Sequence, residues 1–241
     1  MELSKILFLD IETVPQCEYF GELSDEMQHC WTEKFVQLQK RMPDKYADLS
    51  VEQAFEKTAG IFSEFGKIIC IAVGFIHNKN GIKSMRITSF ANDDEKQLLA
   101  DFRNLLVKTC KSSDDTLCGH NIKEFDIPYL CRRMIINEIA LPRILNIAGK
   151  KPWEVQFFDT LELWKFGDVK NYTSLKLLAA ILGIPTPKDD IDGSQVREVY
   201  YKERNIERIA AYCRKDVIAT TQIFLRLNGF ETIDSDSIEI V

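Results

Sequence analysis

The sequence predicts a mixed α/β fold, a five-stranded sheet flanked by helices within a single domain, residues 1–241. A nearly continuous apolar run opens the chain, as in a strand buried on both faces. Two further strand-like runs follow, and strand and helix patterns interleave around residues 90–160. Strands dominate the first half and helices the second, the layout of a sheet covered by helices. At 241 residues the chain can bury a substantial core.

The first strand is Lys5–Glu12. Residues 16–66 form a long mixed insertion between the first two core strands, with charged helical pieces at Asp25–Arg41 and Val51–Lys57. Lys67–Ile76 and Ile82–Phe90 read as strands joined through an Asn-Lys-Asn-Gly turn. Asp93–Val107 has the periodicity of an amphipathic helix, and Thr116–Gly119 is a short strand. A helix over Pro128–Asn137 must begin near Asp126, because proline is tolerated only in the first turn. Phe157–Thr160 supplies a fifth strand. Thr173–Leu182 is a helix with a hydroxyl start signal and Gly183 as its stop, and the last long helix runs from Asn205 to Gly229. No internal repeat or low-complexity segment interrupts this order.

Composition excludes several classes. No apolar run approaches the roughly 18 residues a membrane-spanning helix needs, and the N-terminal apolar stretch lacks the small-residue cleavage site of a leader, so a cytoplasmic location without a membrane is expected. Seven scattered cysteines without a C-x-x-C pair suggest free thiols in a reducing compartment rather than a disulfide framework or zinc site. The net charge of −6 argues against a passive nucleic-acid coat. It does not exclude an enzyme that places metal ions between its carboxylates and a phosphate. Asp189-Asp190-Ile191-Asp192-Gly193 hints at a calcium loop, but Lys188 stands at its first ligand position and Val199 at its twelfth, which excludes it.

Three acidic motifs remain. Asp10 and Glu12 end the first strand, and a strand period of two points both carboxylates to one face. Asp126 closes Gly119-His120-Asn121-Ile122-Lys123-Glu124-Phe125-Asp126, where a strand gives way to a helix. Tyr212 and Asp216 are spaced i, i+4 on one face of the last helix, beside the apolar stripe Ile209–Cys213–Val217. Each has an ordinary alternative: an acid where a strand meets water, an N-cap, a solvated helix acid. Together they suit phosphodiester hydrolysis by two metals, whose hard ions take carboxylate oxygens and substrate phosphate. Two carboxylates about 5 Å apart repel by roughly 3 kcal/mol at an effective dielectric near 20, a cost that function has to explain.

The segments FLDIET, KIICIAVGF, GHNIKEFDIPYL, FDTLELWKFGD, GIPTPKDDIDGSQV and YCRKDV resemble, across most of the chain, the DEDD superfamily of 3′–5′ exonucleases. Tyr212, four residues before Asp216, matches the DEDDy branch; the DEDDh branch would have histidine where Ala211 stands. The nearest resemblance is to stand-alone bacterial proteins related to the proofreading exonuclease domain of family B DNA polymerases. It implies an RNase H-like fold and two Mg²⁺ or Mn²⁺ ions on Asp10, Glu12, Asp126 and Asp216. It also implies a water-positioning role for Tyr212, and contacts to the 3′-terminal nucleotide from Thr13, Asn121 and Phe125. The expected reaction releases nucleoside monophosphates from single-stranded DNA ends. A 3′–5′ exoribonuclease on the same site, or a non-catalytic nucleic-acid-binding scaffold, are the alternatives.

Asn121 also reads as a turn residue and Phe125 as a core anchor. Trp164, Phe166 and Tyr172, with Lys165 and Lys170, read as core aromatics or as a stacking and basic patch. Asp159 reads as structural, near the metal cluster, and His120 as a hydrogen-bonded turn residue. The 16–66 insertion has room to enlarge the substrate groove or to face a protein partner.

Overall fold

Strand β1 (Ile6–Pro15) lies inside a six-stranded sheet in the computed structural model, which describes residues 1–79, 81–168, 172–185 and 191–241. It pairs antiparallel with β2 (Gly66–Lys79), which pairs antiparallel with β3 (Ile82–Ala91). On its other side β1 pairs parallel with β4 (Thr116–Gly119), and β4 parallel with β5 (Phe158–Asp159). A sixth strand, β6 (Ile238–Ile240), adds parallel to β3, giving the order β5-β4-β1-β2-β3-β6. The sequence predicts five strands; the sixth is the correction. Its three residues are too short to carry a period, and the free edge of β3 makes them a strand through pairs such as Met85 with Ile238. The arrangement is that of an RNase H-like α/β domain.

Alternation along β1 separates two cores. Ile6, Phe8 and Val14 face α9 (Ile206–Leu227), whose Cys213, Val217 and Phe224 are buried against them, and the Phe8 and Phe224 rings meet edge-on at 5.5 Å. Leu7, Leu9 and Ile11 face α4 (Glu95–Thr109) and α5 (Asp126–Ile136). Small residues on β2 let α9 approach closely: a Cβ at Gly74 would stand 3.2 Å from Val217 Cγ1. Where Glu12 pairs with Cys70 and Thr13 with Ile68, Ile69 is left as an extra residue. This bulge re-aims the end of β1 just past the two acids.

The insertion carries its own core. Helices α1 (Asp25–Arg41), α2 (Pro43–Tyr46) and α3 (Val51–Thr58) gather around the fully buried Trp31, which meets Phe55 and Phe65 edge-on at 5.5 and 5.1 Å. Serine caps start α1 and α3: Ser24 and Ser50 accept from the amides of Met27 and Gln53. The insertion is tied to the sheet where Tyr129 donates to Gly60 O (2.8 Å) and Arg133 to Ser63 O (2.9 Å). A side chain at Gly66 would collide with the Tyr129 hydroxyl.

Three short helices, α6 (Thr160–Lys165), α7 (Leu175–Ile181) and α8 (Val196–Glu198), complete the second half, and α8 continues as a π-helical turn, Val199–Glu203. Lys170 and residues 188–190 lie outside the described residues.

Candidate active site

β1 outruns its neighbour β4, and the site forms where it does. β4 pairs only with Ile6–Phe8, so the Ile11 amide has no strand partner on that side. Asp126, at the start of α5, fills the gap: its Oδ1 accepts from Ile11 N at 3.2 Å. The third motif arrives from the opposite face, where α9 packs across β1 and β2. Asp10, Glu12, Asp126 and Asp216 come together from three distant segments: Asp10 feels the charges of the other three, and Glu12 those of Asp216 and Asp126.

The electrostatics follow from burial. Asp10 is raised well above the ordinary carboxylate range by burial, then by Asp126, Asp216 and Glu12. Glu12 is raised by burial, then by Asp216, Cys70 and Asp126. Burial also lifts Asp126 to about 7, against the opposing pull of its own amide and that of Ile11. Among the described residues, no lysine or arginine forms an ion pair with Asp10, Glu12 or Asp126. Buried carboxylates without a cation are costly, and a cluster of oxygen donors fits a hard divalent ion. The donor set therefore suits the metal chemistry.

Tyr212 stands over the cluster. Burial raises its phenol far above the ordinary value, followed by Asp216, Glu12 and Asp10, and it hydrogen-bonds Asp216. It is a protonated donor at neutral pH.

Sequence reasoning misses Cys213. Its Sγ lies 3.4 Å from both Asp10 O and Asp10 Oδ2, and Asp10, Glu12 and Cys213 place ligand atoms within 4.8 Å of one another. The signal is there in the stripe Ile209–Cys213–Val217, which reads only as core.

Thr13 is half-buried, with its hydroxyl against that of Tyr129. Asn121 has a left-handed φ of 60°, the conformation of a turn residue. The half-buried Phe125 ring packs against Tyr129 at 5.5 Å while lining a groove beside Glu12. Asp159 sits behind the cluster. Its carboxylate accepts from the amides of Asn121 (2.9 Å), Lys123 (3.2 Å) and Leu161 (2.9 Å), which clamps the second motif and caps α6. His120 is hydrogen-bonded between Thr160 Oγ1 (2.9 Å) and Thr173 O (3.0 Å). Trp164 packs into a small core with α7, as a core aromatic, whereas Phe166 and Tyr172 are exposed and the Tyr172 ring meets that of His120 edge-on at 6.5 Å.

Residues 61–239 match the model of a family described as "Predicted 3'-5' exonuclease related to the exonuclease domain of PolB". That stretch holds Asp126, Tyr212 and Asp216; Asp10, Glu12 and most of the insertion precede it. No curated protein matches the chain. No helix among the described residues is long and apolar enough to cross a membrane. With well over half its length in the match, the chain belongs to the family of predicted 3′–5′ exonucleases related to the exonuclease domain of PolB.

Proposed function

We propose that residues 1–241 act as one DEDDy-type, two-metal 3′–5′ exonuclease that removes nucleoside monophosphates from single-stranded DNA. Asp10, Glu12, Asp126 and Asp216 would hold two Mg²⁺ or Mn²⁺ ions. Such ions, when bound, lower the pKa of the attacking water and stabilise the leaving oxygen. The observation that carries this reading is the group of buried and half-buried carboxylates in which Asp126 and Asp216 raise the proton affinity of Asp10 and Glu12, with no cation paired to Asp10, Glu12 or Asp126 among the described residues.

The chain's own residues have distinct tasks. Asp10 and Glu12 sit on a strand paired with β2, so their spacing is fixed before any ligand arrives. Asp126 is anchored through Oδ1 to the Ile11 amide, which fixes its carboxylate beside the end of β1. Tyr212, held protonated, orients the attacking water by hydrogen bonding rather than removing its proton. Thr13, Asn121 and Phe125 border the terminal nucleotide, with Phe125 as the stacking surface. The seven free cysteines suit a reducing, cytoplasmic setting.

The test is timed digestion of 5′-labelled single-stranded DNA and RNA of one sequence, with Mg²⁺ or Mn²⁺. A ladder shrinking from the 3′ end, absent for Asp10→Asn, is the expected result, and the faster strand identifies the sugar. No cleavage of either strand with either metal sinks the reading and favours a non-catalytic scaffold.

A further inference from the structure

We infer that the insertion, residues 16–66, is one wall of the channel that delivers a single strand to the acid cluster, with Lys45 and Lys57 holding its backbone phosphates. The nature of the ligand rests on the exonuclease reading; the wall rests on its own observations.

The first is continuity. A groove of about 920 Å³ has Glu12, Thr13 and Phe125 among its lining, so it reaches the acid cluster at Glu12. Its volume lies near the top of the roughly 300–1,000 Å³ range of small-ligand pockets, room for a chain segment rather than one small group. Helices α2 and α3 contribute Lys45 and Lys57 to its lining, and α8 contributes Arg197, which meets α3 at Glu56.

The second is charge. A chain with net charge −6 repels a polyanion unless its basic groups are placed where the strand lies. Two of the groove's cations are already engaged: Arg197 bridges to Glu56 (3.3 Å) and Lys202 to Glu18 (2.6 Å). Lys45 and Lys57 are exposed, and among the described residues neither forms an ion pair. Glu198, on α8, is exposed, so the groove's cations without an ion pair among the described residues are those of α2 and α3, and phosphates belong against that wall.

The third is rigidity. The wall is built on the Trp31 core and braced at Gly60, Ser63 and Glu56 by Tyr129, Arg133 and Arg197. A preformed wall loses little entropy on binding. Ile61, half exposed in the same groove, and Phe125 add apolar surface for bases.

The experiment uses fluorescence anisotropy of 5′-fluorescein-labelled dT12 with the full chain carrying Asp10→Asn, in Mn²⁺, so that binding is read without digestion. Adding Lys45→Gln and Lys57→Gln should weaken binding about tenfold at low salt. It should also flatten the plot of log K against log salt by about 0.7 per lost phosphate contact. Lys108→Gln, on α4 and outside the groove, serves as control. Unchanged affinity and slope in the double variant, a loss no larger than the control's, or no binding by any of the proteins overturns the proposal. The exonuclease reading is scored separately, by hydrolysis of a p-nitrophenyl ester of thymidine 5′-monophosphate, which has a single phosphate and no strand to lie along the groove. Loss of dT12 binding in the double variant therefore supports the wall even if no ester is cleaved.

Discussion

Glu95 is buried like Glu12 and Asp126 of the acid cluster and is partnered oppositely. Glu95 is 8% exposed, as is Glu12, and Asp126 is 4% exposed. Glu95 receives Arg133 Nε (2.9 Å), Asn137 Nδ2 (2.9 Å) and the Ile68 amide (2.7 Å). Through Arg133, which also reaches Ser63 O, it fastens the end of the insertion to β2, α4 and α5. Asp10, Glu12 and Asp126 have a thiol, two amides and each other. One carboxylate is a joint of the fold, and the others are a charge the fold tolerates. Burial alone therefore does not distinguish structure from function; the partner does.

The sharpest break is Asp10→Asn. Digestion should be abolished, while the melting temperature in EDTA stays equal to the parent's or rises, because one repelling charge is gone. A fall of several degrees would make Asp10 a structural residue. Arg133→Met should do the reverse: stranding Glu95 costs about 3–5 kcal/mol, on the order of 10 °C in melting temperature for a chain of this length. Hydrolysis measured well below that temperature should persist, and a melting temperature matching the parent's would remove the joint from the account.

The comparison also has a pH signature. Asp126 is lifted to about 7 from 3.8, so between those values the folded, metal-free protein keeps a proton that the unfolded chain has released. The stability tied to that proton is complete below the unfolded value and lost as pH rises through about 7. In EDTA, raising pH from 5.5 to 8 should cost about 2 kcal/mol from this group, and Asp126→Asn should remove that part of the slope. Equal melting temperatures at both pH values would mean that Asp126 is ionised throughout. The smallest effect belongs to Asp159→Asn, which loses part of an amide clamp: about 1–2 kcal/mol of stability, with a partial fall in rate as the second motif loosens. No change in either would make the clamp dispensable.

Much of this was legible in the sequence because the determining signals were local. α1 at Asp25–Arg41 and β4 at Thr116–Gly119 agree with their expected bounds, since capping and periodicity set them. Ile238–Ile240 and Val196–Glu198 did not show, because three residues hold no period and tertiary contact makes the element. At the site, the carboxylates were readable as types at spacings. Cys213 was not, since a buried thiol on an apolar stripe is indistinguishable from core until Asp10 is seen 3.4 Å away. Asp159 was readable as structural, but the amides of Asn121 and Lys123 that it holds were not, because they lie far away in the sequence.

The position of α9 has a consequence for biosynthesis. Asp10 is made long before Asp216, with most of the sheet lying between them in the sequence. A ribosome-bound chain that has not yet exposed α9 has β1 and its two acids but neither Tyr212 nor the fourth carboxylate. If these carboxylates bind the metals, the growing chain cannot attack nucleic acid beside the ribosome, and competence comes only when the last long helix settles across the sheet.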